Sequence, residues 1–486
     1  MADIRGFLNF SRYEPVERHP LLRIKDFNEI NQSSGDLTCM TQARRCMDCG
    51  VPFCVNGCPL GNPVPGFNKL SQQENWYEAQ KLLHESNNFP EFTGKVCPAP
   101  CESACVLGVI SRPVSIKLLE EKIIEKAFEE DWVVPVHPAS RSGKRVSVIG
   151  SGPAGLACAQ QLNRKGHWVR MIEKRPEAGG LLTWGIPEYK LPKHMVRRRI
   201  SQLEQEDIEI VTNCEVGVDV SFEDLQAESD AVVLCLGAEK PRDLEVPGRG
   251  LNGIHFAMDF LAKAHGDPAR TWTGPKIDVR GKRVIVIGGG DTGADCIGTS
   301  LRLGAAHVQN IEIMPRLPLK RSESNPWPEF ARVFKPSTSY TENLAFGGRS
   351  DYEVKTVGFV GDEKGVLIGL ETIDPGSVDE EVRTSRSRNT DAATFVPCDI
   401  VFLALGYLGA NDRHIFSGRK ADQTENQVDS KHGIKGYKGV FSCGDYRVGQ
   451  SLVVTAIADG RKTAEHVDEW LRDQPGKFET HSFRSS

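Results

Sequence analysis

One pattern, present twice, restricts the fold of this chain more than any other feature. The apolar run Arg145-Val-Ser-Val-Ile leads into the turn Gly150-Ser-Gly152-Pro-Ala-Gly155, a helix-patterned stretch LACAQQLNRKG and a second run, WVRMIE. The order recurs as KRVIVIG, the turn Gly288-Gly-Gly290-Asp-Thr-Gly293, the helix-patterned ADCIGTSLRLG and HVQNIEIM. A single glycine motif of this kind is weak evidence. Two of them, each between a strand and a helix, are strong evidence for two βαβ units. The first glycine permits the tight turn, the second lets backbone approach a pyrophosphate, and the third lets helix and strand pack closely. The pyrophosphate then sits on the helix N-terminus, where free N–H groups and the dipole favour an anion. The expected class is therefore α/β, with two Rossmann-like dinucleotide-binding domains.

The ends of the second strands separate the two units. Glu173 closes the first, where a carboxylate can accept hydrogen bonds from ribose hydroxyls. The second runs on to Met314-Pro315-Arg316 and then Lys320-Arg321. Losing the acid and gaining arginines suits a 2′-phosphate, hence NADP rather than NAD. The alternative makes Glu312 the ribose acid and the arginines a solvated face. Asp291 and Thr292 open the second helix and can cap it, face phosphates, or both. Near the C-terminus, GVFSCGDYRVGQSLVVTAIADG gives a short strand, Gly444-Asp445 and a helix. A carboxylate in that setting can hold a polyol.

A second feature precedes both units. Seven of the fourteen cysteines lie between residues 46 and 105, as Cys46-x2-Cys49-x4-Cys54-x3-Cys58-Pro and Cys97-x3-Cys101-x3-Cys105. Without a secretory signal at MADIRGFLNF, such a cluster points to metal rather than disulfides. A four-cysteine run ending in Cys-Pro is the iron–sulfur style, in which the fourth cysteine serves the other cluster. Structural zinc is the competing reading, but zinc knuckles use paired Cys-x2-Cys or add histidine, and neither run contains one. Two cubane clusters need eight ligands, so seven cysteines predict two [4Fe–4S] clusters with one further ligand. The remaining cysteines (39, 158, 214, 235, 296, 398 and 443) are scattered and read as buried thiols.

The rest of the chain sets limits. A net charge of −5 implies no basic field for nucleic acid. Apolar runs such as Val232 to Leu236 are strand-length and too short to span a bilayer. The cytoplasm is the default. KLLEEKIIEKAFEEDW, from Lys117, has helical spacing, and VVPVHPASRSGK reads as a linker. Arg197-Arg198-Arg199 reads as a solvated helix face, and residues 373–395 as an exposed loop. The expected division is a helical iron–sulfur domain over 1–140, a first dinucleotide-binding domain over 141–275, a second over 276–398 and a return to the first over 399–486.

Three segments, RCMDCGVPFCVNGCPLGNPVP, NNFPEFTGKVCPAPCESACVLG and GGLLTWGIPEYKLPK, together with the two nucleotide folds, closely resemble the small-subunit family of bacterial NADPH-dependent glutamate synthases. The likeness runs from about Ala43 to Val467. It implies FAD in the first fold, on Gly150, Gly152, Gly155, Glu173, Gly180, Leu181, Gly237, Gly444, Asp445 and Thr455. It implies NADPH in the second, a nicotinamide domain inserted in the flavin domain, on Gly288, Gly290, Asp291, Thr292, Gly293, Arg316 and Arg321. It also implies that Cys46, Cys49 and Cys54 hold one cluster and Cys58, Cys97, Cys101 and Cys105 the other. Glu120 falls at the position of the eighth ligand. A shorter spacing between the first two cysteines of the second run than in some relatives loses no ligand. No catalytic acid or base is nominated, because the cofactors carry hydride transfer. The implied role is electron input: NADPH to FAD, through two clusters, to FMN in a separate large subunit that makes glutamate from glutamine and 2-oxoglutarate. The same module also serves ferredoxin:NADP oxidoreductases, sulfide dehydrogenases and dihydropyrimidine dehydrogenases, so the partner is the open question. A disulfide-reductase reading is rejected, since no cysteine pair follows Gly180.

Overall fold

The computed structural model describes residues 5–265, 277–374, 393–412, 414–416 and 428–475. Each glycine motif sits at the end of the third strand of a five-stranded sheet. In the first sheet the order is Val440–Ser442, Ala231–Leu234, Arg145–Ile149, Trp168–Ile172 and Glu209–Val211, all parallel. In the second it is Ile254–Phe256, Ile400–Leu403, Arg283–Ile287, His307–Glu312 and Arg349–Tyr352, again all parallel. The near-continuous burial of Ala231–Leu234 and Ile400–Leu403 is what parallel strands covered on both faces require. A three-stranded antiparallel sheet of Lys355–Gly361, Leu367–Ile373 and Thr394–Pro397 accompanies the second fold.

Register moves both expected boundaries of the second domain. Ile400–Leu403 pairs with Ile254–Phe256 on one side and Arg283–Ile287 on the other, so it belongs to the second sheet and not to a flavin part starting at 399. Ile254–Phe256 likewise precedes the expected crossing at 275. Of the expected loop at 373–395, residues 375–392 lie outside the described residues.

The first glycine-turn helix, Pro153–Arg164, packs along the C-terminal helix Val453–Arg472. The approach is close because Gly460 has no side chain; a Cβ there would strike the Ala154 carbonyl.

The cysteine-bearing region is helical. Asp36–Ala43, Val64–Gln72, Trp76–Ser86, Pro90–Val96 and Ile116–Glu129 enclose a core containing Phe67, Trp76, Leu83, Leu119 and Ile123. The expected helix from Lys117 starts one residue earlier and turns Ile116, Leu119, Ile123 and Ile124 inward. Each such side chain contributes roughly 1.5–3 kcal/mol when fully buried.

Charge pairs join this helical module to both nucleotide folds. Arg199 donates to both carboxylate oxygens of Glu91, at 2.6 and 2.8 Å, and both side chains are buried. Arg198 lies over the Phe128 ring, 3.3 Å from its centroid. Of the expected solvated face at Arg197-Arg198-Arg199, Arg197 is exposed, whereas Arg198 and Arg199 form an interface; the sequence offers no hint of the distant Glu91. Buried Glu342 accepts from both Arg23 and Arg302, which pins the N-terminal segment to the second fold.

Candidate functional site

A single cavity of about 950 Å³ reaches both nucleotide folds and the helical module. The first fold contributes Gly150, Gly152, Glu173, Gly180, Leu181, Gly237, Gly444 and Asp445 to its wall. The second contributes Gly290, Asp291 and Thr292. Gly155, Gly288 and Gly293 stand behind the wall. A Cβ on Gly155 would strike the Gly150 carbonyl, and one on Gly293 the Gly288 carbonyl, so these glycines bring each helix onto its turn. Gly152 and Gly290 have open space where a Cβ would be, which leaves the cradle a pyrophosphate needs. Thr455 is not on the wall; Leu452, Val453 and Ala456 of the same helix start are.

Glu173 is fixed for its expected task. Its carboxylate accepts the Ser151 N–H at 3.2 Å, the Ser151 hydroxyl, and the Arg175 N–H at 2.8 Å. Asp445 accepts the Ser451 hydroxyl at 2.6 Å, and burial raises its pKa above the usual carboxylate range. The neighbouring Gly444 N–H is held by Asp459 at 2.7 Å. Between the folds, Lys190 pairs with Asp295 on the cavity wall. Burial opposes the Lys190 charge, but the Asp295 carboxylate outweighs it and holds the ammonium above its ordinary range.

One expectation fails at Arg321. Its guanidinium donates to the Ser103 carbonyl at 3.0 Å and the Glu329 carbonyl at 2.7 Å, and it does not reach the cavity. With Trp327 tilted against Phe53 at 4.7 Å, it straps the second fold to the helical module. Arg316 is exposed and lies over the Phe334 ring.

The seven cysteines separate into two groups, and the division differs from the expected one. Cys46, Cys49, Cys54 and Cys105 ring a small void closed by Phe53, Val64, Leu107 and Ile116. Cys58, Cys97 and Cys101 interact with one another and with Glu120. Cys105 therefore completes the first group instead of the second. The reason lies in the local helices. Cys54 and Cys58 are a turn apart across Phe53–Asn56, and Cys101 and Cys105 a turn apart across Pro100–Ser103; these two short helices pack together. Each therefore gives one thiol to either side. Among the described residues, no three His, Cys, Asp or Glu are arranged to hold a single metal ion, and all fourteen cysteines are free thiols.

Glu120 is buried, and burial pushes its carboxyl up to about 7. Asn87 (2.6 Å), Asn62 (3.5 Å) and Thr93 all donate to its Oε1, so none of the described hydrogen bonds ends on Oε2. Burial also pushes Cys54 and Cys97 up to about 12 and raises Cys46, Cys49, Cys58 and Cys101. Such thiols release their protons when a bound cation compensates the charge. Both groups therefore fit thiolate-held iron.

Two further arrangements escaped sequence reasoning. Cys97, Lys117 and Glu121 of the helical module form part of the cavity wall. Cys235 and Cys443 also line it, with their sulfurs 3.0 Å apart, and Cys158 bonds to Cys443 from beneath. Hydrogen bonds from Cys158 and Cys235 draw the Cys443 thiol down to about 6. Their sequence signal was the place of Cys235 and Cys443 at the ends of two strands of one sheet.

Fold and site together define a pyridine-nucleotide oxidoreductase with an iron–sulfur module. Residues 23–132 match the family described as dihydropyrimidine dehydrogenase domain II, 4Fe-4S cluster, and residues 144–331 that described as pyridine nucleotide-disulphide oxidoreductase. The small chain of glutamate synthase [NADPH] from Bacillus subtilis is 43% identical over 97% of this chain and 99% of its own. The corresponding small chain of Mycobacterium tuberculosis is 44% identical over 97% and 96%. The chain belongs to the glutamate synthase small-chain family. A glutamate synthase [NADH] from Schizosaccharomyces pombe is also 44% identical over 96% of this chain, which spans only 22% of that longer protein. The solved structure of Mycobacterium tuberculosis FprA in complex with NADPH shares the fold, with a TM-score of 0.52 at 18% identity over 68% of this chain and 85% of that one.

Proposed function

We propose that this chain is the electron-input subunit of a glutamate synthase: it oxidises NADPH and delivers the electrons to FMN in a large partner subunit that forms glutamate from glutamine and 2-oxoglutarate. The observation that carries the reading is Cys97, a member of the Cys58–Cys97–Cys101–Glu120 group, standing in the wall of the dinucleotide cavity. When bound, FAD accepts a hydride and [4Fe–4S] clusters take electrons singly.

The residues supply position and environment. Glu173 would hold the adenosine ribose of FAD, the open space at Gly152 its pyrophosphate, and Gly180, packed against the Gly152 backbone, the ring side. Gly290, Asp291 and Thr292 would receive the nicotinamide coenzyme, and the Lys190–Asp295 pair would fix the two folds across the cavity. Cys58, Cys97, Cys101 and Glu120 would hold the cluster beside the cavity. Cys46, Cys49, Cys54 and Cys105 would hold the outer one, where Cys46, Cys49 and Cys54 are only half-buried and offer an exit. Among the described residues no helix is long and apolar enough to cross a membrane. The proposal places the complex in the cytoplasm, where thiols stay reduced.

The test is anaerobic purification through a tag on this chain, followed by NADPH oxidation with glutamine and 2-oxoglutarate. Co-purification of a large flavin-bearing chain and a need for both substrates support the reading. Another redox partner, with no response to those substrates, sinks it.

A further inference from the structure

We infer that the second dinucleotide site reads the adenosine ribose through Glu312, so that the chain takes NADH as well as NADPH and Glu312 sets the balance; this rests on the electron-input reading above. The two folds are superposable in register at this point. Ile149 pairs with Ile172 ahead of Gly150 and Glu173, and Ile287 pairs with Ile311 ahead of Gly288 and Glu312. Glu173 accepts the N–H of the residue two further on, Arg175, and Glu312 does the same with Met314 at 3.0 Å. Both carboxylates therefore lie over their glycine turns, where a ribose diol arrives.

The difference between them lies in what faces the second carboxylate oxygen. In the first fold it is Ser151, whose N–H and hydroxyl both donate to Glu173. In the second it is Gly289, so close that a Cβ would overlap the Glu312 carboxylate. None of the described hydrogen bonds ends on Glu312 Oε2. That acceptor suits the 2′- and 3′-hydroxyls of NADH and disfavours a 2′-phosphate. Arg321, the cation expected to answer that phosphate, is tied to the Ser103 and Glu329 carbonyls. Arg316 remains in the neighbourhood. It lies 3.9 Å from the Phe334 ring centroid, Phe334 meets Tyr352 edge-on, and Tyr352 is the strand neighbour of Glu312. The site thus carries an acceptor for the diol and a cation for the phosphate.

The test uses the full-length, FAD-loaded chain with Glu312→Gln and Arg316→Ala. Glu312→Gln keeps an acceptor for the Met314 N–H, and its thermal midpoint reports any folding defect. Anaerobic flavin reduction is followed with each coenzyme, and calorimetry measures 5′-AMP and 2′,5′-ADP, which bind without redox chemistry. Both coenzymes should reduce the wild type. Glu312→Gln should move the NADPH-to-NADH ratio of kcat/KM at least about tenfold toward NADPH and weaken 5′-AMP about tenfold. Arg316→Ala should weaken 2′,5′-ADP alone. A wild-type kcat/KM for NADH under about a hundredth of that for NADPH, or a ratio that Glu312→Gln moves less than about twofold, overturns the inference and leaves the electron-input reading standing. A flavin that neither coenzyme reduces overturns both.

Discussion

Cys105 decides how the metal ligands are shared. Its thiol closes the void around Cys46, Cys49 and Cys54, so on the proposed ligation Cys58 and Cys105 serve different clusters. Cys58→Ser and Cys101→Ser in combination should lose about half the iron, as either does alone, whereas Cys58→Ser with Cys105→Ser should lose nearly all of it. Iron analysis with electron paramagnetic resonance of the reduced protein reads the difference; equal losses in the two double variants would restore the other division. Cys97→Ser should block electron exit while NADPH still reduces the flavin, measured by anaerobic absorbance at the flavin band. That the seven cysteines form one candidate ligand set was readable from their spacing alone. Their partition was not, because a spacing in sequence does not say which turn of Phe53–Asn56 meets which turn of Pro100–Ser103.

At the scale of elements, the junction between Pro90–Val96 and Lys193–Gln205 depends on one buried pair. Glu91→Ala strands the Arg199 guanidinium away from water and should cost about 3–5 kcal/mol, read as a lower denaturant midpoint. Replacing both partners, Glu91→Leu with Arg199→Met, should recover most of that loss, since two matched apolar side chains leave no unpaired charge. A double variant no better than Glu91→Ala would show that the pair contributes more than relief from desolvation. The glycine turns, their strands and the helix at Ile116–Glu129 were legible because each is written in local periodicity. Arg199 and Arg321 were misjudged for the opposite reason: their partners, Glu91, Ser103 and Glu329, are fixed by how the modules dock.

Across the whole molecule, acid should loosen the fold through its buried histidines. His84, whose Nδ1 meets the Gln80 carbonyl at 2.9 Å, and His265, whose Nε2 meets the Thr299 hydroxyl at 2.9 Å, are both lowered to about 3 by burial. In the unfolded chain each takes up a proton near 6.5. Above that value both states are neutral and nothing changes. Below it only the unfolded chain gains protons, so stability falls by about 1.4 kcal/mol per pH unit for each histidine until the folded value is reached. The urea midpoint should therefore fall as pH drops from about 6.5 to about 5, and His265→Gln should flatten the slope. A midpoint constant across that window contradicts the assignment.

The interlaced thiols also bear on how the protein matures. Cys46, Cys49 and Cys54 leave the ribosome well before Cys105, and Cys58 well before Cys97, Cys101 and Glu120. The first set is complete only once the chain has passed Cys105 and the second only once it has passed Glu120, and both wait for the helices to dock. Iron insertion should accordingly occur in a single cooperative phase after synthesis, with partly loaded chains scarce at every time point of a reconstitution monitored by native mass spectrometry.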